Sequence, residues 1–169
     1  MARAVTPLPM TPAEEFLCRL LAGKVVYDYG AGSFGSAPLK RPRMRHLVAI
    51  EKSPDAMFLR TSVFGNSPIT VVKAWFSRAH TVLGENRPDV AYVGWPSVDP
   101  MVEPAEWAAL IALCDRAPVL VWQGAEEQAS AEWRAYVSRR ILLGSANDPI
   151  RPVRAYGAKH DHQSTDVRP

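Results

Sequence analysis

The stretch "YDYGAGSFG", residues Tyr27 to Gly35, follows a short apolar run and carries three glycines in G-x-G-x-x-G spacing. Gly30, Gly32 and Gly35 suit a tight turn after a strand, where the backbone must come close to a nucleotide. Glu51 lies about twenty residues on, the distance at which an acid holds ribose hydroxyls in dinucleotide-binding folds. One residue argues against a dinucleotide. Asp28, two positions before Gly30, would set a carboxylate beside a doubly negative pyrophosphate, whereas a cationic ligand would be attracted there.

The surrounding elements alternate. "KVVYD" (24–28), "HLVAIE" (46–51), "ITVVK" (69–73), "DVAYVG" (89–94) and "PVLVW" (118–122) are nearly continuous apolar runs, the pattern of strands buried on both faces. Thr11-Pro12-Ala13-Glu14 is a capping box, with Leu17, Leu20 and Leu21 on one face of the helix it opens. Ser53-Pro54 opens a helix expected to reach about Phe64. Trp107, Leu110, Ile111 and Cys114 form a helical stripe, and Ser130 caps a helix carrying Trp133, Tyr136 and Val137. After Arg140, "ILLG" and "PVRAY" flank a turn-rich segment and suit an antiparallel pair at a sheet edge. The fold class that follows is α/β: Rossmann-like, doubly wound, with a mostly parallel sheet and a C-terminal antiparallel strand pair.

Composition narrows the function classes. The chain has 169 residues, of which 47% are hydrophobic and 22% charged, enough for one core. A single domain over 1–156 is expected, with 157–169, which lack apolar periodicity, as a flexible tail. Cys18 and Cys114 are the two cysteines, far apart on helical apolar faces, so they read as buried thiols in a reducing compartment. "MARAVTPLPM" has no apolar h-region and no run is long enough for a membrane span, so a soluble cytoplasmic protein is expected. The net charge of +3 is too small to imply polyanion binding by itself.

Taken together, the acid and glycines of "DYGAGSFG", the acid ending "VAIE" and the passage "DVAYVGWPS" resemble the core of class I S-adenosylmethionine-dependent methyltransferases over about residues 11 to 156. The resemblance implies S-adenosylmethionine as cofactor. It implies Asp28, Gly30, Ala31 and Gly32 near the cofactor's amino-acid end and Glu51 on its ribose; Trp75 and Phe76, just beyond the third strand, are candidates to lie against its adenine in the same crevice. Two departures stand out: Phe34 occupies a position often glycine in that loop, and Pro38 and Pro42 in "SAPLKRPRMRH" prevent a long regular helix after it.

In the same family the methyl acceptor sits after the fourth strand, where amino-directed nucleic-acid enzymes carry Asp or Asn, Pro, Pro, aromatic. Here the segment reads "GWPSVDP", 94–100. The polar grip is missing, so base specificity is not carried over, and Trp95, Pro96, Ser97 and Asp99 remain the acceptor-pocket candidates. Methyl transfer needs mainly a nucleophile held in line with an activated sulfonium, so no catalytic triad is required and no catalytic residue is assigned. Asp99 and His80 are candidate bases that no spacing positions.

Three functional readings stay open: a methyltransferase with an unidentified acceptor, a catalytically inactive binding module or partner subunit of the same fold, and an NAD(P)-binding enzyme. A protein partner or homo-oligomer is compatible with the second. Lys40, Arg41, Arg43, Arg45 and His46 form a basic loop expected beside the cofactor crevice. Without interleaved aromatics it reads as a solvated surface, with nucleic acid a weaker alternative. "HDH", 160–162, lies in the tail without further ligands, so no metal site is expected.

Overall fold

The computed structural model describes residues 9–32, 37–53, 67–94, 103–147 and 152–158. The five apolar runs form parallel strands: β1 (Val25–Tyr29), β2 (His46–Glu51), β3 (Ile69–Lys73), β4 (Val90–Gly94) and β5 (Val119–Gln123). β6 (Ile141–Ala146) and β7 (Val153–Gly157) complete one seven-stranded sheet in the order β3-β2-β1-β4-β5-β7-β6. β7 runs antiparallel between β5 and β6, which makes the C-terminal pair the sheet's far side, as its turn-rich connection implies. Register is continuous through the centre, with Asp28 opposite Ala49 on β2 and opposite Tyr92 on β4.

Helices cover both faces. α1 (Pro12–Leu21) buries Ala13, Leu17 and Leu21, spaced four apart, against Val26, Leu47, Ala49 and Tyr92. Its capping box forms as the sequence predicts: Thr11 Oγ1 accepts the Glu14 N–H at 3.2 Å and Glu14 returns the bond to Thr11 N–H at 2.8 Å. A 3₁₀ turn at Ala37–Lys40 stands where a longer helix would follow β1, consistent with the two prolines. On the opposite face α2 (Phe76–Leu83), α3 (Pro104–Cys114) and α4 (Ala131–Val137) pack on Tyr27, Tyr29, Ile50 and Val93.

The aromatic centre of that layer is Trp133, fully buried, with its ring 6.2 Å from both Trp107 and Trp122 and 5.4 Å from Tyr136. Ser130 caps α4 as expected, its Oγ accepting the Trp133 N–H at 3.1 Å.

α2 is an addition to the expected elements. Its N-cap, Trp75, makes no side-chain bond, so no Ser, Thr, Asp or Asn announces it. A tertiary contact substitutes: buried Glu106 of α3 accepts the Ser77 N–H at 3.3 Å. The expected helix after Ser53 lies outside the described residues, as do the "HDH" stretch and most of the tail. Among the described residues no helix is long and apolar enough to cross a membrane.

Candidate functional site

From β1 the chain moves outward through β2 and β3, then returns to β4 and β5 on the other side, so strand order reverses between β1 and β4. In parallel sheets such a reversal leaves a crevice outside the carboxyl ends of the two strands. Gly30, Ala31 and Gly32 leave β1 at this crevice, Glu51 ends neighbouring β2, and Gly94 ends β4.

Backbone bonds draw the glycine loop over β2. Gly30 N–H and Ala31 N–H both donate to the Ile50 carbonyl, at 2.9 and 3.3 Å. Gly30 and Gly32 have φ of +76° and +69°, a region that side chains with a Cβ rarely enter. Beneath Gly30 the nearest atom to an added Cβ is in the Phe76 ring, at 3.8 Å; Phe76 packs edge-on to Tyr29 at 6.3 Å. Above Gly32 an added Cβ meets no described residue within 4 Å.

Glu51 fixes the loop from the side. One carboxylate oxygen accepts Gly32 N–H at 2.9 Å and the other accepts Ser53 N–H at 2.9 Å. Each carboxylate oxygen can accept a further bond, so the group retains capacity for a ligand's hydroxyls. Trp75, half exposed at the carboxyl end of β3, carries the Lys52 ammonium 4.2 Å from its ring centroid.

Asp28 occupies a different level. It is completely buried, and strand alternation puts it on the face shared by Val26 and Tyr92. On the adjacent strand β4, Tyr92 Oη donates to Gln123 Oε1 of β5 at 2.5 Å, with both residues buried. Burial pushes the Tyr29 phenol well above the usual tyrosine range, which excludes it as a neutral-pH base.

Trp95, Pro96, Ser97 and Asp99 lie outside the described residues. Among sequence candidates, then, Gly30, Ala31, Gly32, Glu51 and Trp75 come together at one edge. Phe76, expected with Trp75 just beyond the third strand, joins them by packing on Tyr29 beneath Gly30. Lys52 and Ser53 join them without having been singled out for the site: Ser53 acts through its backbone amide, which leaves no residue-type signature, and Lys52 carried a signal only in its position directly after the acid.

The basic loop is elsewhere. Arg43 O accepts Gly23 N–H at 3.0 Å and Arg45 N–H donates to Lys24 O at 2.9 Å, both at the start of β1. The loop enters β2 from its amino end, so the expectation that it flanks the crevice is corrected: a parallel strand separates its entry and exit by its own length. Arg41 and Arg45 are also ion-paired, with Glu14 at 2.9 Å and Asp89 at 3.3 Å.

No family model and no curated protein matches the chain. Solved structures do resemble it. A TehB-like SAM-dependent methyltransferase from Corynebacterium glutamicum is 11% identical with a TM-score of 0.60, covering 89% of each chain. TehB from Haemophilus influenzae is 11% identical with a TM-score of 0.61 over 90% of this chain and 64% of its own. The Thermus thermophilus 16S rRNA N2 G1207 methyltransferase RsmC, solved with AdoMet and guanosine, is 16% identical with a TM-score of 0.58 over 89% of this chain and 44% of its own. The likeness is one of architecture, and with the strand order and antiparallel β7 it gives this chain the fold of the class I S-adenosylmethionine-dependent methyltransferases.

Proposed function

We propose that the carboxyl-edge crevice binds S-adenosylmethionine and that residues 1–156 act as one methyltransferase domain on an acceptor held beside the segment after β4. The observation that carries the reading is the Glu51 carboxylate joined to the amide of Gly32 at 2.9 Å. It brings a hydrogen-bond acceptor for a ribose diol to within one residue of a glycine turn, which is the donor and acceptor set the cofactor needs.

The residues fit this cofactor better than a dinucleotide. A pyrophosphate is received by a helix N-terminus, and the described chain after Gly32 offers only the 3₁₀ turn at Ala37–Lys40. Asp28, on the strand that leads into the loop, is a carboxyl group whose ionised form would favour a sulfonium and an ammonium over a pyrophosphate. Antiparallel β7 also takes the place beside β5 that a sixth parallel strand fills in dinucleotide folds.

When bound, S-adenosylmethionine supplies an activated methyl group. The chain's own work is positional: Glu51 accepts the ribose hydroxyls, Gly30 to Gly32 allow close backbone approach, and Trp75 offers a ring face to the adenine. Trp95, Pro96, Ser97 and Asp99 shape the acceptor side. The acceptor's own lone pair forms the new bond, so holding it in line contributes most of the rate.

Titration calorimetry tests the reading. S-adenosylmethionine or its demethylated product should bind, with no response to NAD or NADP; NAD binding without adenosyl binding overturns it. Catalysis is separated from binding by radiolabelled cofactor and fractionated cell extract. Trp95→Ala should leave affinity within a few-fold while cutting turnover about a hundredfold, the cost of misplacing a reactant by about an ångström. Tight binding with no labelled acceptor identifies a binding module, the reading favoured by the missing polar residue at Gly94 and Trp95. The expected compartment is the cytoplasm.

A further inference from the structure

The parallel strands enter the sheet from one edge, and a cation precedes almost every one of them. Across the sheet these are Arg45 before β2, Lys24 before β1, Arg87 before β4, Arg116 before β5 and Arg139 before β6. Lys24, Arg45, Arg87 and Arg139 are exposed. Arg116 is held in the row by donating to the carbonyls of Gly84 and Asn86 at 2.5 and 2.6 Å. With strands about 4.8 Å apart, five steps from β2 to β6 make a row about 24 Å long.

Acids do not cancel this row. Asp89 is shared between Val25 N–H at 2.7 Å and Arg45 at 3.3 Å, an exposed pair of little energetic weight. Asp115 is committed to Tyr136 and Arg140. Lys24, Arg87 and Arg139 form no ion pair with any described residue. Among the described residues the remaining acid at this edge is exposed Glu85. Most other acids gather at the opposite edge, where Glu51 ends β2, Glu103 and Glu132 sit at the starts of α3 and α4, and Glu126 and Glu127 follow β5.

Helix macrodipoles account for part of this polarity, since the helices start at the carboxyl edge and end at the amino edge. They account for Arg116 and Arg139, two residues past the ends of α3 and α4. Lys24 and Arg87 stand three and four residues past α1 and α2, where the effect has faded, and Arg45 follows no described α-helix.

We infer that the amino edge of the sheet is a docking surface for the phosphate backbone of duplex nucleic acid. A single-file row fits a line of phosphates, and among the described residues no exposed aromatic accompanies it, since Trp75 stands at the opposite edge. Single-strand binding draws on stacking platforms; a row of cations alone reads only backbone. Exposed apolar residues adjoin the row chiefly at one end, at Ile141, Leu142 and Leu143, which does not make the interleaved apolar surface of a membrane-binding face. Strands of about five residues set this edge some 17 Å from the crevice. A duplex docked here leaves the crevice free, so the surface anchors the protein and does not itself present the methyl acceptor.

The test is fluorescence anisotropy of the full chain with labelled duplex RNA and DNA of about 20 base pairs, longer than the row. Five phosphate contacts predict that log affinity falls with log salt at a slope of about −4 to −5. Lys24→Ala, Arg87→Ala and Arg139→Ala together should lower the slope by about three and the affinity at least tenfold, and each alone should lower the slope by about one. Lys73→Ala with Arg78→Ala, on exposed positions near the carboxyl edge, should change neither. No binding, salt-insensitive binding, an equal loss in the control pair, or capture by anionic vesicles in preference to duplex would overturn the inference. Glu51→Ala distinguishes it from the cofactor reading, because duplex affinity should persist in that variant whether or not S-adenosylmethionine binds.

Discussion

Glu51 Oε2 accepts the Gly32 N–H at 2.9 Å, so the last residue of β2 holds the turn that leaves β1. The partner oxygen holds Ser53 N–H at the same distance, and one carboxylate thereby sets the positions of two loops at the crevice. Glu51→Gln retains the side-chain shape but has only one oxygen for the two amides. It should destabilise the fold by about 1 kcal/mol and weaken S-adenosylmethionine binding roughly tenfold to a hundredfold, since a charged hydrogen bond contributes about 1.5 to 3 kcal/mol. Denaturant melts and calorimetry check the two effects separately; unchanged affinity moves the ribose site elsewhere.

Gly32 and Gly124 should respond to alanine for different reasons. At Gly32 the added methyl meets no described residue within 4 Å but the φ of +69° is unfavourable for it, a cost of about 1 kcal/mol. At Gly124 the added Cβ would lie 2.6 Å from Nε1 of Trp122, a ring that is 1% exposed and has no room to swing. Overpacking of this kind costs about 1 to 3 kcal/mol. Urea denaturation should therefore rank Gly124→Ala at or below Gly32→Ala in stability, whereas Gly32→Val, β-branched in a left-handed turn, should also abolish cofactor binding.

Trp133 is the most enclosed ring of the α2–α3–α4 layer, and its indole N–H has no acceptor among the described residues. Trp133→Ala should cost about 3 to 5 kcal/mol through the cavity it leaves. Trp133→Phe removes a buried donor that is already unsatisfied, so thermal melting should show a loss smaller by more than half.

The two thiols should differ in the native protein: Cys114 is buried as expected, whereas Cys18, expected to be buried, is partly exposed on α1. Complete burial pushes Cys114 far above the ordinary thiol range, and desolvation together with the Glu14 charge raises Cys18. Because the thiolate is the nucleophile, labelling of Cys18 by iodoacetamide should keep rising with pH beyond the point where a free thiol levels off. Cys114 should label only on unfolding; fast labelling of Cys114 at neutral pH would contradict the packing of α3 on the sheet.

What the sequence determined by itself was local and periodic. Five apolar runs marked five parallel strands to within a residue: β1, β2, β4 and β5 are buried on both faces and need apolar side chains throughout, while edge strand β3, partly exposed, was marked by its β-branched residues. The caps of α1 and α4 were equally legible, since Thr11 and Ser130 bond to amides three residues on and the whole interaction lies within one turn. The glycine turn and Glu51 could be paired by spacing alone, their partnership being fixed by adjacent parallel strands. Only the tertiary structure decided the rest. α2 is capped by Glu106, 29 residues away from Ser77, so no local letter could announce it. Asp28 is enclosed on the face it shares with Val26 and Tyr92 because side chains alternate across a strand, and which face is buried under α1 is a matter of packing. The basic loop moved to the opposite edge for a reason of direction: a residue that precedes a parallel strand and one that follows it are separated by the strand's length, however near they stand in sequence.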